Sequence, residues 1–207
     1  MEYRKFKLCD ENYLAGIIKD TWGYDRLCKN AEISFLMGKI YLYSCLCEQN
    51  YNLVAVENDK PVGIIMGNIK SKKLKTPLIY KQKLSQYLEK MQSYNEGQFI
   101  LDFFDEIEKL DKEMLDELGK EYDGELVFFV IDKNIRGKHV GTTLINNYSI
   151  ELKNNGCKHI FVYTDESCNF GFYEHYGFVR VNKREHDLFN YKNKFFTMPL
   201  DILIFHY

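Results

Sequence analysis

A turn rich in basic and glycine residues, placed between two apolar segments, is the part of this sequence best suited to chemistry. The segment before it, E-L-V-F-F-V-I (residues 125–131), is mostly β-branched or aromatic and predicts a buried strand. After the turn, apolar residues recur at the spacing of one helix face from Val140 to Leu152. The turn itself, R-G-K-H-V-G-T, runs from Arg136 to Thr142. Because the first amides of a helix lack partners within the helix and carry the positive end of its dipole, this arrangement predicts a phosphate or pyrophosphate site.

Two common phosphate-binding motifs do not account for this turn. Neither G-x-x-x-x-G-K-[ST] nor G-x-G-x-x-G occurs in the sequence. A simpler interpretation of Arg136 and Lys138 is that they are solvated side chains at the start of a helix. The order of strand, turn and helix favours the phosphate interpretation.

The composition predicts one domain with an ordinary core. The chain has 207 residues and a net charge of −2, which argues against a general nucleic-acid-binding protein. The opening residues, M-E-Y-R-K-F-K-L, lack the apolar region of a signal peptide, and no apolar run approaches membrane-spanning length. The six cysteines fit neither a zinc site nor a compact disulfide framework. We therefore expect reduced, mostly buried thiols, no bound metal and a cytoplasmic location.

Periodicity and turn residues predict strands that alternate with helices. The predicted strands are 3–8, 53–57, 62–69, 125–131, 159–164, 178–185 and 195–205. The predicted helices are 11–21, 31–47, 77–91, 100–118, 140–152 and 170–175. Asp10 is expected to cap the first helix, and Gly156 to end the helix after the basic turn in a left-handed conformation. The sequence E-N-D-K-P predicts a hairpin between the second and third strands.

The basic turn resembles the cofactor loop of the GNAT superfamily, the acetyl-CoA-dependent N-acetyltransferases. That loop has the pattern [QR]-x-x-G-x-[GA] at the start of a helix that follows a strand. Here Arg136 opens the pattern and Gly141 closes it. His139 stands where the first glycine is usual, and we expect it to be a tolerated substitution rather than a catalytic residue.

A later run, N-F-G-F-Y-E-H-Y-G-F, resembles the C-terminal signature of the same family, N-x-x-A-x-x-F-Y-x-K-x-G-F. Its core is matched residue by residue at Phe172, Tyr173, Glu174, Gly177 and Phe178. Asn169 lies four residues before Tyr173, closer than the usual seven. The run follows the basic turn in the family's order, one helix and one strand later.

The resemblance implies an α/β (α+β) GNAT fold. Such a fold has a central mixed, mostly antiparallel sheet of about seven strands flanked by helices, and it opens with a strand, two helices and two strands. It also implies one domain over residues 1–207. A two-helix insert at about 72–120 would interrupt this domain between the third and fourth strands.

The activity implied by the resemblance is transfer of an acetyl group from acetyl-CoA to a primary amine, by direct attack in a ternary complex. The amine must first lose a proton, since a typical alkylamine pKa of about 10.4 leaves it charged at neutral pH. Glu125 is the expected base, because one branch of the family carries a catalytic glutamate at this position. The alternative is a carboxylate that faces solvent at the start of a strand. Even spacing predicts that Glu125, Val127, Phe129 and Ile131 share one face.

Tyr173 is the expected catalytic acid, since the matching tyrosine of the family lies near the cofactor sulfur and can protonate the thiolate. The alternative is a core tyrosine that packs at a helix end. The resemblance assigns the pantetheine arm of acetyl-CoA to the strand backbone and the pyrophosphate mainly to main-chain amides of the turn. The residues expected to bind acetyl-CoA are Phe129, Val130, Ile131, Arg136, Gly137, Lys138, His139, Val140, Gly141, Thr142, Asn169 and Tyr173.

The insert has two interpretations. One face of the helix at 100–118 is apolar, and the other carries the acidic residues Asp102, Asp105, Glu106, Glu108, Asp111 and Glu113. A charged face of this kind is usually only solvated. The alternative is that the insert forms a wall of the acceptor site, where its carboxylates attract a cationic amine.

Two other functions fit the same residues. One is a non-catalytic acyl-CoA-binding or sensing module, which His139 and the short spacing of Asn169 favour. The other is an acyltransferase that uses a longer acyl-CoA, which the pocket volume beside Phe129 would decide. The acceptor is open between an amine of a small molecule and an amine of a peptide. We expect no nucleic-acid or membrane partner, and a homodimer is open because many relatives dimerise.

Overall fold

The apolar segments of the chain fold into one mixed sheet with helices on both faces. The computed structural model describes residues 1–135, 137–165, 170–186 and 200–206. The strands are β1 (Glu2–Arg4), β2 (Tyr51–Glu57), β3 (Lys60–Ile69), β4 (Gly124–Ile131), β5 (Ile160–Asp165), β6 (Val179–His186) and β7 (Leu200–His206). The helices are α1 (Glu11–Trp22), α2 (Tyr24–Leu27), α3 (Ala31–Glu48), α4 (Leu78–Gln92), α5 (Gly97–Glu117), α6 (Val140–Asn154) and α7 (Phe170–His175).

The sheet confirms the predicted fold class. Across the described residues, seven strands lie in the order β1-β2-β3-β4-β5-β7-β6, and β4–β5 is their one parallel pair. The two insert helices, α4 and α5, lie between β3 and β4 in the chain, as predicted. The β2–β3 hairpin also has the predicted turn, in which Asn58 and Asp59 adopt positive φ angles of 50° and 62°.

Two apolar cores lie on opposite faces of the sheet. The α1–α3 core contains Leu14 and Leu42, which are fully buried together with Ile64 of β3. The α6 core contains Leu144 and packs against Ile65, the next residue of β3. Neighbouring strand residues therefore serve opposite cores, and each such side chain contributes about 1.5–3 kcal/mol of burial free energy. Both cores hold β4 in place at the centre of the sheet.

Asp10 differs from its predicted role as the cap of α1. Its carboxylate accepts hydrogen bonds from the Arg4 guanidinium at 2.6 and 2.8 Å and from the Lys7 N–H at 2.8 Å. It makes no capping hydrogen bond to α1. The buried carboxylate instead ties the first strand to the helix start, and β1 ends at Arg4 rather than at residue 8.

The closing strands pair as predicted, but their order in the sheet was not foreseen. β6 and β7 are antiparallel neighbours, and β7 lies between β5 and β6. Residues 195–199 of the predicted last strand lie outside the described residues. Gly156 has a φ of 71° just after α6, which confirms its predicted left-handed conformation.

Two further observations on the described residues concern the state of the cysteine side chains and the character of the helices. Cys9, Cys28, Cys45, Cys47 and Cys157 are free thiols, of which Cys9 is exposed and Cys45 is buried. Among the described helices, none combines the length and the apolar character that crossing a membrane requires.

Candidate functional site

A cleft of about 580 Å³ opens between the end of β4, the start of α6 and α7. Of the residues predicted to form a site, those that line this cleft are Phe129, Val130, Ile131, Gly137, His139, Val140, Gly141, Thr142 and Tyr173. The two sequence motifs, which are separated by 26 residues in the chain, therefore meet in one place.

The cleft exists because β4 and β5 diverge. In the described sheet these parallel strands are paired at Gly124 with Ile160 and at Glu125 with Phe161, and not beyond. On its other edge β4 stays paired with β3 as far as Ile131. The second half of β4 therefore has one edge that none of the described strands covers.

The backbone of β4 presents hydrogen-bonding groups at this uncovered edge. The Asp132 N–H donates to the Val62 carbonyl of β3 at 2.8 Å. Since backbone groups of successive strand residues point to opposite edges, those of Phe129 and Ile131 point away from β3 and into the gap. These are the two residues whose backbone was predicted to pair with a pantetheine arm.

A β-bulge in β4 turns Glu125 away from Phe129. The β3–β4 pairing is regular from Ile131 back to Phe128, and then Asn68 pairs with Glu125, so β4 contains one residue more than β3 in this interval. Glu125 consequently faces α3, where its charge acts on Cys45. Phe129 and Ile131 pack on the α6 face. The prediction that these residues share one face is wrong, because the extra residue reverses the alternation.

Tyr148 of α6 stabilises the bulge. Its hydroxyl donates to the carbonyl oxygen of Glu125 at 2.8 Å. Its ring lies over Gly67 of β3, where an added Cβ would come within 2.2 Å of the ring. The bulge thus depends on Tyr148 of α6 and on the lack of a side chain at Gly67 of β3.

The environment of Glu125 suits proton transfer. Burial, and then the charge of Glu48, raise the pKa of Glu125 to about 7. Among the described residues its carboxylate has no hydrogen-bond or ion-pair partner. A carboxyl group with this pKa exists in both protonation states at neutral pH, as a general base requires. It does not line the cleft itself, and lies on the α3 side of the sheet.

The first turn of α6 brings backbone amides to the cleft. The Thr143 N–H donates to the His139 carbonyl at 3.0 Å, which is the first hydrogen bond of the helix. Val140, Gly141 and Thr142 precede it in the first turn and line the cleft. Their amides lie at the positive end of the helix dipole, so this part of the cleft favours an anion.

The conformation of His139 explains why glycine is the usual residue at its position. His139 has a φ of 58°, in the left-handed region that side chains disfavour. Gly141 has a different reason to lack a side chain, since an added Cβ would lie 2.8 Å from the side chain of Ile131. The small residue lets α6 pack closely against β4.

Three residues that were predicted to bind the phosphate or the cofactor are not among the described residues that line the cleft. The ammonium of Lys138 pairs with Glu57 at 2.9 Å, and Lys138 is not among the lining residues. Arg136 and Asn169 lie outside the described residues. Within the described ranges no group of three or more His, Cys, Asp or Glu side chains is placed to hold a metal ion.

Helix α7 places two aromatic rings in the cleft wall. The ring of Phe172 lies 5.2 Å from that of Phe129, and the ring of Tyr173 lies 5.6 Å from that of Phe178. Tyr173 is only 8% exposed and nevertheless lines the cleft. It thus packs in the core, as the simpler interpretation held, and also faces the space beside β4.

The end of α1 forms a wall of the cleft that the sequence did not predict. Asp20, Thr21 and Trp22 line the cleft opposite β4. The ring of Trp22 stacks on that of Phe128 at 5.7 Å. No local pattern marks these residues, because their place depends on how α1 packs across the sheet.

Comparisons with known proteins identify the family and the fold. The family model described as "Acetyltransferase (GNAT) family" matches residues 24–178. Similar solved structures include an N-acetyltransferase from Staphylococcus aureus Mu50, with 15% identity, a TM-score of 0.53, and coverage of 100% of this chain and 96% of that one. Another is an aminoglycoside 6'-N-acetyltransferase complexed with coenzyme A, with 14% identity, a TM-score of 0.53, and coverage of 100% and 96%.

A further similar structure is an agmatine N-acetyltransferase mutant in its apo form, with 10% identity, a TM-score of 0.56, and coverage of 100% of this chain and 98% of that one. At these identities the similarity shows the fold alone. A comparison with curated proteins finds no match.

Proposed function

Because the chain belongs to the acetyltransferase (GNAT) family, we propose that it transfers an acetyl group from acetyl-CoA to a primary amine of a small molecule or peptide. The observation that carries the proposal is the uncovered edge of β4. This edge lies in the same cleft as the first turn of α6 and Tyr173.

The cleft fits a molecule with an anionic end and an extended polar arm. The amides of Val140, Gly141 and Thr142 would bind the pyrophosphate of acetyl-CoA. The backbone groups of Phe129 and Ile131 would pair with the amides of the pantetheine arm, as an added strand would. This direction of binding brings the thioester between β4 and α7.

The reaction requires one bond to form and one to break. The amine nitrogen attacks the thioester carbonyl carbon, the new C–N bond forms, and the C–S bond breaks to release the thiolate of CoA. The Phe129 N–H, at the uncovered edge, would stabilise the oxyanion that develops on the carbonyl oxygen. Glu125 would accept the proton that the amine loses, directly or through water, and its pKa of about 7 matches that role.

Tyr173 would return a proton to the leaving thiolate. Its ring is fixed by Phe178 and Phe172, so its hydroxyl keeps a defined position at the cleft wall. A positioned acid lowers the barrier for thiolate departure. We expect Tyr173→Phe to lower kcat by about a hundredfold with little change in the Kd of acetyl-CoA.

The test measures release of free CoA thiol from acetyl-CoA across a panel of primary amines, together with the Kd of acetyl-CoA. The matched control is Tyr176→Phe, which removes a hydroxyl from the residue that follows the same helix and should leave kcat near the wild-type value. Tight binding of acetyl-CoA without turnover of any amine would contradict the proposal and indicate a non-catalytic acyl-CoA-binding module. Faster turnover of a longer acyl-CoA than of acetyl-CoA would show that the transferred group is the longer acyl group.

A further inference from the structure

Aromatic residues from four elements form a continuous strip beside the cleft. Trp22 of α1 lines the cleft, and its ring stacks on that of Phe128 at 5.7 Å. Tyr41 of α3 lies 5.4 Å from Phe128, and Phe104 of the insert helix α5 lies 6.5 Å from Tyr41, both between ring centroids. Trp22, Tyr41 and Phe104 are partly exposed. The strip therefore leads from the cleft across β4 to the insert.

Three carboxylates continue this strip. On α3, Glu48 lies two turns after Tyr41, and on α5, Glu108 lies one turn after Phe104. These spacings keep each carboxylate on the same helix face as its aromatic neighbour. The bulge in β4 directs Glu125 to this side of the sheet as well. We call the four aromatic residues and Glu48, Glu108 and Glu125 the aromatic–acidic strip.

The three carboxylates lie close enough for their charges to act on one another. Glu48 is exposed as a residue, but partial burial of its carboxyl and then the charge of Glu108 raise its pKa. Burial and then the charge of Glu48 raise the pKa of Glu125. In the described part of the chain, none of the three has a hydrogen-bond or ion-pair partner.

This arrangement is unfavourable when the carboxylates are ionised, and a bound cation would relieve it. Like charges repel, and no partner among the described residues compensates the largely buried carboxylate of Glu125 for its lost solvation. Elsewhere on α5 the carboxylates of Glu113 and Glu117 pair with Arg184. The aromatic–acidic strip differs from the Glu113 and Glu117 side of α5, because within the described ranges its carboxylates have no cationic partner and lie next to partly exposed aromatic rings.

We propose that the aromatic–acidic strip binds the acceptor and that the acceptor carries a second positive charge besides the amine that is acetylated. The inference rests on the proposed acetyl transfer and adds its substrate class, a diamine or polyamine. Glu125, the deepest carboxylate, faces the reacting amine. Glu48 and Glu108, which are exposed at the rim, pair with the second cation. The aromatic rings contact the chain between the two charges and attract cations through their faces.

The experiment compares acceptors that differ only in the second charge. Acetyl-CoA turnover is measured with hexamethylenediamine and hexylamine, with octamethylenediamine and octylamine, and with aminohexanoate, whose far end is anionic. We expect kcat/KM for each diamine to exceed that for the monoamine of equal length by at least about tenfold, and aminohexanoate to be the poorest acceptor.

Two variants assign the preference to the rim carboxylates. Glu48→Gln and Glu108→Gln should each lower the diamine-to-monoamine ratio of kcat/KM several-fold, mainly through KM for the diamine. Asp102→Asn is the matched control, since it removes one charge from the opposite face of α5 and its side-chain oxygen can still accept from Gln98. The ratio should be unchanged in this control.

The outcomes separate this inference from the proposed function. Equal kcat/KM for diamines and monoamines, or a ratio that the Gln variants do not change, would overturn the diamine assignment while acetyl transfer stands. If no amine is turned over, the proposed function fails. In that case the aromatic–acidic strip is tested by binding of the same compounds to CoA-saturated protein. Tighter binding of diamines than of monoamines, lost in Glu108→Gln, would support the strip as a dication site. Equal binding of diamines and monoamines would overturn that assignment.

Discussion

At the scale of single residues, Glu125 shows how burial sets chemistry. Its carboxylate lies beside Glu48 and Cys45 on the α3 side of the sheet. Its charge also contributes to raising the pKa of Tyr163 of β5. Burial of the group disfavours its ionised form, which raises its pKa to about 7. The same shift that makes Glu125 a suitable base also destabilises the folded protein when the group is charged.

We expect the stability cost of Glu125 to appear as a dependence on pH. The pKa of Glu125 is higher in the folded protein than in the unfolded chain, so the unfolded chain loses this proton at lower pH. The protonated group therefore adds to the free energy of unfolding at low pH, and this contribution disappears as the pH rises from about 4.5 to about 7. Glu125→Gln removes this loss, so its free energy of unfolding relative to wild type should increase by about 2 kcal/mol over that interval.

The measurement is denaturant unfolding of both proteins at several pH values. Glu121→Gln, which removes an exposed carboxylate shortly before the strand, controls for the loss of charge alone. A difference between Glu125→Gln and wild type that stays constant with pH would show that the carboxyl is not shifted.

At the scale of elements, the bulge in β4 is the feature that divides the site between two faces of the sheet. It leaves the backbone of Phe129 at the edge that faces the cleft and directs Glu125 to the α3 side of the sheet, where we propose that the acceptor binds. Tyr148 and Gly67 hold this geometry from α6 and β3. A local irregularity thus determines where the two proposed reactants meet.

Gly67→Ala should disrupt the bulge. The added methyl group would lie within 2.2 Å of the Tyr148 ring, so the ring must move and its hydrogen bond to Glu125 weakens. We expect a loss of about 2–3 kcal/mol in the free energy of unfolding, together with reduced acetyl transfer.

Gly16→Ala is the matched control for this substitution. An added Cβ at Gly16 of α1 meets no atom closer than 3.8 Å, and alanine favours helix more than glycine does. This variant should therefore be as stable as wild type or more stable. If Gly67→Ala unfolds with the wild-type free energy, the bulge does not depend on that contact.

The sequence predicted most elements because their apolar residues follow regular periods. The boundaries of α7 are the predicted ones, and those of β2, β3, α4 and α5 differ from prediction by only a few residues. The bulge could not be predicted, since one extra strand residue leaves no mark in an apolar run. The role of Asp10 was missed for a related reason: its partner Arg4 is fixed by tertiary packing, whereas a cap is a local pattern.

At the scale of the whole molecule, the insert is joined to the core by a buried carboxylate. Glu11 of α1 accepts hydrogen bonds from Tyr43 of α3 and Tyr87 of α4, and it pairs with Lys39 at 2.9 Å and with Lys83 at 3.1 Å. Burial alone would raise its pKa, but the hydrogen bonds from these partners lower it to about 2. We infer that the insert is part of the same domain as the sheet.

Tyr87→Phe should loosen the insert. It removes the hydroxyl that α4 donates to Glu11, which should cost about 1–2 kcal/mol of unfolding free energy and speed hydrogen exchange of the α4 amides. Tyr80→Phe is the control. Tyr80 also lies on α4 and its ring packs on Phe6, but its hydroxyl makes no hydrogen bond among the described residues. Equal exchange of α4 in both variants would contradict the role of Glu11.

The sequence located part of the site and could not complete it. The basic turn and the aromatic run identified the α6 and α7 sides of the cleft, since their spacing reflects local backbone geometry. The wall formed by Trp22, the side of the sheet to which Glu125 turns, and the pairing of Lys138 with Glu57 depend on contacts between distant segments. Such contacts have no local signature in one sequence.

Amide hydrogen exchange in the presence of acetyl-CoA reports directly on the backbone groups that are proposed to bind the cofactor. We expect saturating acetyl-CoA to protect the amides of Phe129 and Ile131 and of residues 140–142, with no comparable protection along α4. Protection confined to other segments, or no change at these amides when acetyl-CoA is bound, would contradict the proposed binding.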